Sequence, residues 1–164
     1  MHYLLDGMKA GDWEQVRTIY LQGIATRNAT FETEAPSREK WDASHLPGLR
    51  LVARGGDRVL GWAALSPVSG RCVYAGVAEV SVYVGASSRQ QGVGRALLEK
   101  LIALSEEHGI WTLQAGVFPE NHASLALCRK CGFREVGRRE RLGKLDGVWR
   151  DVLLLERRSH IAGV

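Results

Sequence analysis

Features of membrane proteins and exported proteins are missing from this sequence. No apolar run approaches the ~20 residues that a helix needs to cross a bilayer. The first residues, Met1 to Asp6, have neither the basic start nor the long apolar core of a signal peptide. We therefore expect a cytoplasmic protein with no membrane partner.

Cysteine is also scarce. The three cysteines, Cys72, Cys128 and Cys131, are an odd number and do not indicate a disulfide framework. Cys128 and Cys131 have a spacing found in zinc and redox sites, but no second pair completes a zinc site and their segment reads as helix. The five histidines are scattered along the chain. We expect no bound metal, and thiols that are structural or incidental.

Charge of one sign is not in large excess, since the formal net charge is +4. Two short basic runs, 138–141 and 157–158, are not accompanied by a zinc-finger, RNP-type or other nucleic-acid motif. We interpret them as a solvated strand edge and a solvated tail, and we expect no nucleic-acid partner. A basic surface would also suit a small anionic ligand.

The residues that are present are those of one soluble domain, residues 1–164. A hydrophobic fraction of 45% and a charged fraction of 24% are ordinary for a globular protein. A chain of 164 residues can bury enough apolar surface to be stable alone. No internal repeat or linker divides it.

Residues 77–104 contain a strand, a glycine-rich turn and a helix in immediate succession. β-branched residues alternate with Glu79, Ser81 and Tyr83 at strand spacing, namely Val80, Val82 and Val84. After the turn, apolar residues recur at helical spacing, namely Val93, Leu97, Leu101 and Leu104. Unpaired N–H groups of a first helical turn, beside glycines that let a ligand approach, form a site for phosphates.

Two common phosphate loops do not fit this turn. A P-loop needs Lys and Ser or Thr after its last glycine, whereas Arg95 and Ala96 follow Gly94. A dinucleotide fingerprint needs a third glycine where Leu97 stands. The motif that remains is Arg89-x-x-Gly92-x-Gly94.

The rest of the chain predicts an α/β or α+β fold with a sheet of mixed direction and helices on both faces. Asp12, followed by Gln15, is expected to cap the first helix, while Ser37 and Asn121 cap two later ones. Gly132 should end the last helix. The expected strands are 2–6, 49–54, 58–65, 77–84, 111–118, 134–144 and 148–156, and the expected helices are 13–25, 37–45, 93–108 and 121–131.

Two motifs resemble those of the Gcn5-related N-acetyltransferases (GNAT). The first is Arg89-x-x-Gly92-x-Gly94, and the second is Asn121-x-x-Ser124-Leu-x-Leu-Cys128-x-x-x-Gly132-Phe133. The resemblance implies a largely antiparallel central sheet and acetyl-CoA as co-substrate. It also implies a set of residues that contact acetyl-CoA: Val82, Tyr83, Val84, Arg89, Gln90, Gln91, Gly92, Val93, Gly94, Arg95, Asn121 and Ser124.

A narrower resemblance is to the phosphinothricin, methionine sulfoximine and arsinothricin N-acetyltransferases. It is carried by the segments 30–34 and 78–84 and by Gly143-Lys144-x-x-Gly147-x-Trp149-x-Asp151. It implies a homodimer that acetylates the α-amino group of a small glutamate-like amino acid. The implied substrate-binding residues are Phe31, Tyr74, Glu79, Lys144 and Trp149.

The resemblance makes Glu79 the general base, acting directly or through water. A carboxylate in a valine-rich central strand is costly unless it has a task or a partner. Phe31 and Trp149 would equally suit a hydrophobic core, and Lys144 a solvated hairpin.

Two positions depart from the family pattern. Cys128 stands where relatives often have His or Tyr, so a weak thiol donor, another residue or solvent protonates the departing thiolate. Ala75 stands where some relatives have Arg or Asp, which leaves the group that binds the substrate's acid open. We expect direct transfer without a covalent intermediate on Cys128.

Two other functions are compatible with the motifs. One is acetylation of a protein N-terminus or a polyamine, which for a peptide would need an open groove. The other is a regulatory module that binds coenzyme A without catalysis, against which the presence of Glu79 argues.

Overall fold

The structure is a computed structural model that describes residues 2–164. Within these residues it has seven strands: β1 (Leu4–Gly7), β2 (Arg50–Gly55), β3 (Arg58–Pro67), β4 (Val77–Val84), β5 (Thr112–Val117), β6 (Arg134–Leu145) and β7 (Val148–Arg158). The α-helices are α1 (Trp13–Ala25), α2 (Arg38–Ser44), α3 (Val93–Glu107) and α4 (His122–Lys130). The expected elements are therefore all present, with small shifts at their ends.

The strands form one sheet in the order β1-β2-β3-β4-β5-β7-β6. Neighbouring strands are antiparallel except β4 and β5, which are parallel and joined through α3. The prediction of a mixed, largely antiparallel sheet is confirmed.

Helices cover both faces of the sheet, as predicted. On one face α1 and α2 bury Val16, Ile19 and Trp41 against β2 and β3. On the other face α3 and α4 pack a larger core, whose helical members include Leu97, Leu101, Leu125 and Cys128.

Local signals for helix ends were correct at three of the four positions named above. The hydroxyl of Ser37 accepts a hydrogen bond from the Lys40 N–H at 3.3 Å, and Asn121 accepts one from the Ser124 N–H at 3.2 Å. Gly132 follows α4 with a φ of +88°, a conformation that a glycine adopts without strain.

The predicted capping role of Asp12 is wrong. Its carboxylate does not bond the first turn of α1 but accepts two hydrogen bonds from the Arg54 guanidinium, at 2.7 and 2.9 Å. The Gln15 side chain is likewise used elsewhere, by accepting from the Val59 N–H at 2.7 Å. The Arg54 hydrogen bonds lower the pKa of Asp12, so a charged pair with β2 replaces the local cap.

The parallel pair β4–β5 is short. It holds in register only from Val77–Thr112 to Glu79–Gln114. β4 continues to Val84 while remaining paired with β3 on its other side. The two parallel strands therefore diverge after Glu79 and leave a free edge of β4, residues 80–84.

Candidate active site

A cavity of about 340 Å³ lies where β4 and β5 diverge. Its walls come from β4, β5, α4, β6, β7 and a segment that we call the pocket loop, residues 26–32. Leu98 of α3 also lines it, so the cavity collects residues from seven separate parts of the chain. Of the residues predicted to form the site, it brings together Phe31, Glu79, Val82, Tyr83, Asn121, Ser124 and Cys128.

Glu79 lies at the point of divergence. Its Oε1 accepts a hydrogen bond of 3.2 Å from Nε2 of Gln114, its register partner on β5. The other carboxylate oxygen remains available to a ligand, since the side chain is only half-buried and lines the cavity. Gln114 was not foreseen, because only the strand register reveals that it faces Glu79.

The free edge of β4 borders the cavity through Val82 and Tyr83. An unpaired strand edge presents N–H and C=O groups that can accept an extended chain as an added strand. Val84 ends this edge, and its carbonyl oxygen accepts a hydrogen bond from Nε of Arg89 at 3.3 Å. The free edge and the glycine turn are thus physically joined.

The glycine turn ends in a helix start with unused donors. Within residues 2–164, the backbone N–H groups from Gly92 to Arg95 donate to no protein acceptor, and the first helical bond runs from Ala96 to Gly92. Gly92 has a φ of +81°, which few side chains tolerate. Four free N–H groups at the positive end of a helix of 15 residues form an anion site.

Most side chains of the glycine turn make contacts within the protein. Arg95 pairs with Glu99 one helical turn away at 2.7 Å, and Val93 is buried in the core. Gln91 donates to the Ser87 carbonyl at 3.4 Å, and Gln90 has a φ of +62°. A ligand at this turn would therefore be held chiefly by backbone groups.

Asn121 and Ser124 line the cavity from the start of α4. The Asn121 side chain has both of its ends occupied within the protein. Its oxygen accepts from the Ser124 N–H, and its nitrogen donates to the Asn28 carbonyl at 3.0 Å. Asn121 therefore connects α4 to the pocket loop.

Arg150 on β7 fixes the same loop from the other side. Its guanidinium donates to the Arg27 carbonyl and to Oδ1 of Asn28, both at 2.8 Å. It also lies 4.1 Å from the centre of the Phe118 ring, against which Phe31 packs edge-on at 4.9 Å. The sequence offered no signal for this clamp, since Arg27 and Asn28 lie more than a hundred residues away from Arg150.

Cys128 is buried in the cavity wall. Burial, together with the neighbouring Cys131, raises the pKa of its thiol to about 11. The thiol is therefore protonated near neutral pH. Since the thiolate is the nucleophilic form, this environment does not activate Cys128 for attack.

Three predicted substrate residues lie outside the cavity wall. Tyr74 is exposed in a helical turn before β4, where the Arg71 guanidinium lies 5.4 Å from its ring centre. Lys144 and Trp149 face each other across the β6–β7 hairpin, with Nζ 4.9 Å from the indole centre. Trp149 is 55% exposed, so it does not belong to the hydrophobic core, which was one of its two predicted roles.

Two residues of β6 enter the wall without having been foreseen, Arg139 and Leu142. Both are solvent-exposed, which agrees with the expected strand edge, but that edge also borders the cavity.

Comparison with known proteins agrees with this fold. Residues 13–133 match the Acetyltransferase (GNAT) family. The chain belongs to that family and is an N-acetyltransferase. In residues 2–164, the structure has no helix with the length and apolar character needed to cross a bilayer.

Within this family, the chain is similar in sequence to acetyltransferases of small amino acids. Phosphinothricin N-acetyltransferase of Alcaligenes faecalis is 35% identical over 153 residues, which is 89% of this chain and 77% of that protein. The L-methionine sulfoximine/L-methionine sulfone acetyltransferase of Pseudomonas aeruginosa is 29% identical over 136 residues, 81% of this chain and 73% of that protein.

A solved structure has the same architecture. The crystal structure of a GNAT superfamily phosphinothricin acetyltransferase from Sinorhizobium meliloti, in complex with AcCoA, aligns with a TM-score of 0.89 and 27% identity. The alignment covers 99% of this chain and 91% of that one.

Proposed function

We propose that this enzyme acetylates the α-amino group of a small glutamate-like amino acid by direct transfer, with Glu79 as the general base. The observation that carries the proposal is the position of Glu79. It is the last residue of the β4–β5 pairing and faces a cavity that opens onto the free edge of β4. A base placed there can reach an amine held beside a ligand that pairs with the free edge.

Acetyl-CoA is the acetyl donor, and the residues of this chain suit it. The unused N–H groups from Gly92 to Arg95 would hold a pyrophosphate. The free edge of β4 would pair with the amide-bearing pantetheine arm, as an extended peptide adds to a sheet. The path from the turn along β4 leads to the cavity at Glu79.

Glu79 would remove a proton from the substrate ammonium, so that the nitrogen lone pair becomes free to attack the thioester carbonyl. The Gln114 amide holds one oxygen of Glu79 and leaves the other to accept that proton. A backbone N–H of β4 near Val80 would stabilise the negative charge that develops on the carbonyl oxygen. Much of the rate would come from holding the two substrates side by side.

Protonation of the departing thiolate is assigned to solvent rather than to Cys128. The pKa of the Cys128 thiol, raised to about 11 by burial, makes it a poor acid at neutral pH. Its place in the wall still lets it contact a ligand.

The pocket loop supports a small substrate. Phe31 and Thr30 line the cavity, and the loop is clamped by Arg150 and Asn121. A protein N-terminus or a long polyamine would need an open groove instead. The named activities of the Alcaligenes faecalis and Pseudomonas aeruginosa relatives agree with a small amino acid. Acetylation of an inhibitory amino acid would also give resistance to it.

We further propose that the enzyme is a cytoplasmic homodimer, which the family resemblance implies. The β6–β7 hairpin offers exposed apolar residues, Val148 at 61% and Trp149 at 55%. Sedimentation velocity of the purified protein would test this, and a single species of about 18.1 kDa would contradict it.

The function is tested by turnover of a panel of amines with acetyl-CoA, comparing the wild type with Glu79→Gln. The amide keeps the shape and hydrogen bonding of Glu79 but cannot accept the proton, so kcat should fall on the order of 10²-fold or more. Affinity for acetyl-CoA, measured by calorimetry, should barely change.

The acidic limb of the profile of kcat/KM against pH should weaken or move in Glu79→Gln. Near wild-type turnover by that variant would show that the base is elsewhere. Coenzyme A binding without turnover of any amine would indicate a regulatory module.

A further inference from the structure

The cavity wall contains a cation that no carboxylate of residues 2–164 neutralises. Arg134 and Arg138, on the same strand β6, pair with Glu156 at 2.6 Å and with Asp151 at 2.7 Å. Among residues 2–164, Arg139 forms no ion pair although it lines the cavity. An arginine that borders a cavity without a partner is available to an anionic ligand.

The register of the β6–β7 hairpin explains why Arg139 faces the cavity. Arg139 lies opposite Val152, which is itself a cavity residue, and directly opposed residues share one face of a sheet. Arg138, one residue earlier, has its carboxylate partner Asp151 instead. Because successive side chains of a strand point to opposite faces, Arg138 and Arg139 lie on different faces of the sheet.

A bulge supports this arrangement. From Arg139 to Gly143, β6 has two more residues than the opposed stretch of β7 from Val152 to Arg150. The extra residues are held because the Arg141 N–H donates to Oδ1 of Asp151 at 2.8 Å, with a φ of +47° at Arg141. Bulges of this kind re-aim side chains beside sites, and here Arg139 lies at its first position.

The charges of Arg139 and Glu79 lie on opposite walls. Glu79 is on β4 and Arg139 on β6, with β5 and β7 between them. Glu79 is in register with Glu156 of β7 through Gln114, whereas Arg139 lies opposite Val152, four residues farther along β7. Three strand spacings of ~4.8 Å across the sheet and four residues of ~3.3 Å along it separate the two backbones by about 20 Å. The α-amino and α-carboxylate groups of an amino acid share one carbon, so together they span little of this separation. A second acidic group at the end of the side chain is farther away.

We propose that Arg139 binds the anionic side-chain acid of the substrate while Glu79 faces its α-amino group, so that the enzyme prefers amino acids with a phosphinate or carboxylate over neutral analogues. This inference rests on the proposed function and specifies its substrate class. Guanidinium groups bind carboxylates and related oxyanions through two parallel N–H donors. A sulfoximine is uncharged and would gain less from the same residue.

The test is the ratio of kcat/KM for phosphinothricin and methionine sulfoximine in the wild type and in Arg139→Gln. The variant should lose about 10- to 100-fold on phosphinothricin, the range for a hydrogen bond to a charged group. It should lose less than about threefold on methionine sulfoximine, since a single neutral contact is exchanged. Arg139→Lys should recover part of the lost preference, because it keeps the charge without the planar fork.

Arg134→Gln is the matched control, because it removes the same charge from the same strand outside the cavity wall. Its substrate ratio should equal that of the wild type. An unchanged ratio in Arg139→Gln, with a wild type that acetylates phosphinothricin, would overturn the role of Arg139 alone. A wild type that acetylates neither amine would overturn the proposed function as well.

Discussion

The neighbouring strands β3 and β4 have similar apolar sequences but different environments. β3 is buried from Val59 to Leu65, with β2 paired on one side and β4 on the other. β4 is half-buried over most of its length, and its pairing with β5 ends at Glu79. The candidate active site therefore lies in the half-buried strand, at the point where its pairing with β5 stops.

The largest expected effect comes from a cavity in the fully paired strand. Leu65→Ala should lower the free energy of unfolding by about 2–5 kcal/mol, because Leu65 is fully buried. Val80→Ala, at the register partner of Leu65 on β4, should cost only about 1 kcal/mol since Val80 is half-buried. Urea denaturation of both variants measures the contrast, and equal losses would contradict it.

The second largest effect is a loss of affinity for acetyl-CoA when the glycine turn beside the free edge of β4 is altered. A Cβ at Gly94 would lie 3.4 Å from Cγ2 of Val84 and 3.5 Å from Cδ2 of Leu127, so the fold can accept Gly94→Val. The rest of the side chain would occupy space needed beside the anion site, and acetyl-CoA should bind at least tenfold more weakly by calorimetry.

Gly137→Val is the control for that measurement, since nothing lies within 4 Å of a Cβ at Gly137. Its affinity for acetyl-CoA should match the wild type. Unchanged affinity in Gly94→Val would exclude the glycine turn as the binding site.

A smaller effect is expected from the clamp on the pocket loop. Arg150→Gln removes the hydrogen bonds to Arg27 and Asn28, and water can replace them only partly. We expect KM for the amine to rise roughly 3- to 10-fold while kcat changes less than about twofold, as for a positioning residue. Arg129→Gln, on the exposed side of α4, is the control. A fall in kcat with unchanged KM would contradict the positioning role.

The smallest effect on turnover is expected at Cys128. Cys128→Ser should keep kcat within about threefold, since direct transfer needs no thiol nucleophile. An acetylated Cys128 on the pathway, with a ping-pong rate law, would contradict this.

The same variant should alter the alkaline pH dependence of stability. The thiol titrates near pH 9 in an ordinary environment and near pH 11 in the folded protein, because burial raises its pKa. Between these values the unfolded chain binds fewer protons, so the free energy of unfolding falls as pH rises. Cys128→Ser should have a shallower decline from pH 9 to pH 11 in urea denaturation. Cys131, Tyr20 and Tyr83, whose pKa values are also raised by burial, contribute to the decline that is left.

Much of the fold was predictable because its signals are local. The alternation at 77–84 and the helical spacing after Val93 gave the boundaries of β4 and α3. Ser37 and Asn121 capped their helices because a cap needs only its own first turn. Asp12 failed as a cap because Arg54, more than forty residues away, offered a stronger charged partner.

The residues of the candidate site also divide into those that a local motif predicts and those that depend on distant segments. The glycine turn and Glu79 were identifiable from motifs, which are contiguous in the chain. Gln114, Arg139 and Arg150 were not, because each acquires its role from a residue or cavity that another strand supplies. Tyr74, Lys144 and Trp149 were proposed from sequence likeness and lie outside the cavity wall.

Residue patterns within single segments were enough to predict the helices and strands and the turn with its free N–H groups. They were also enough to identify the family. The divergence of β4 from β5 after three paired residues, and the side chains that meet there, depend on pairing between distant segments. Such pairing follows from the packing of the whole core, since a strand's neighbours decide which of its backbone groups stay unpaired. The cavity beside Glu79 exists for that reason, and no single stretch of the chain encodes it.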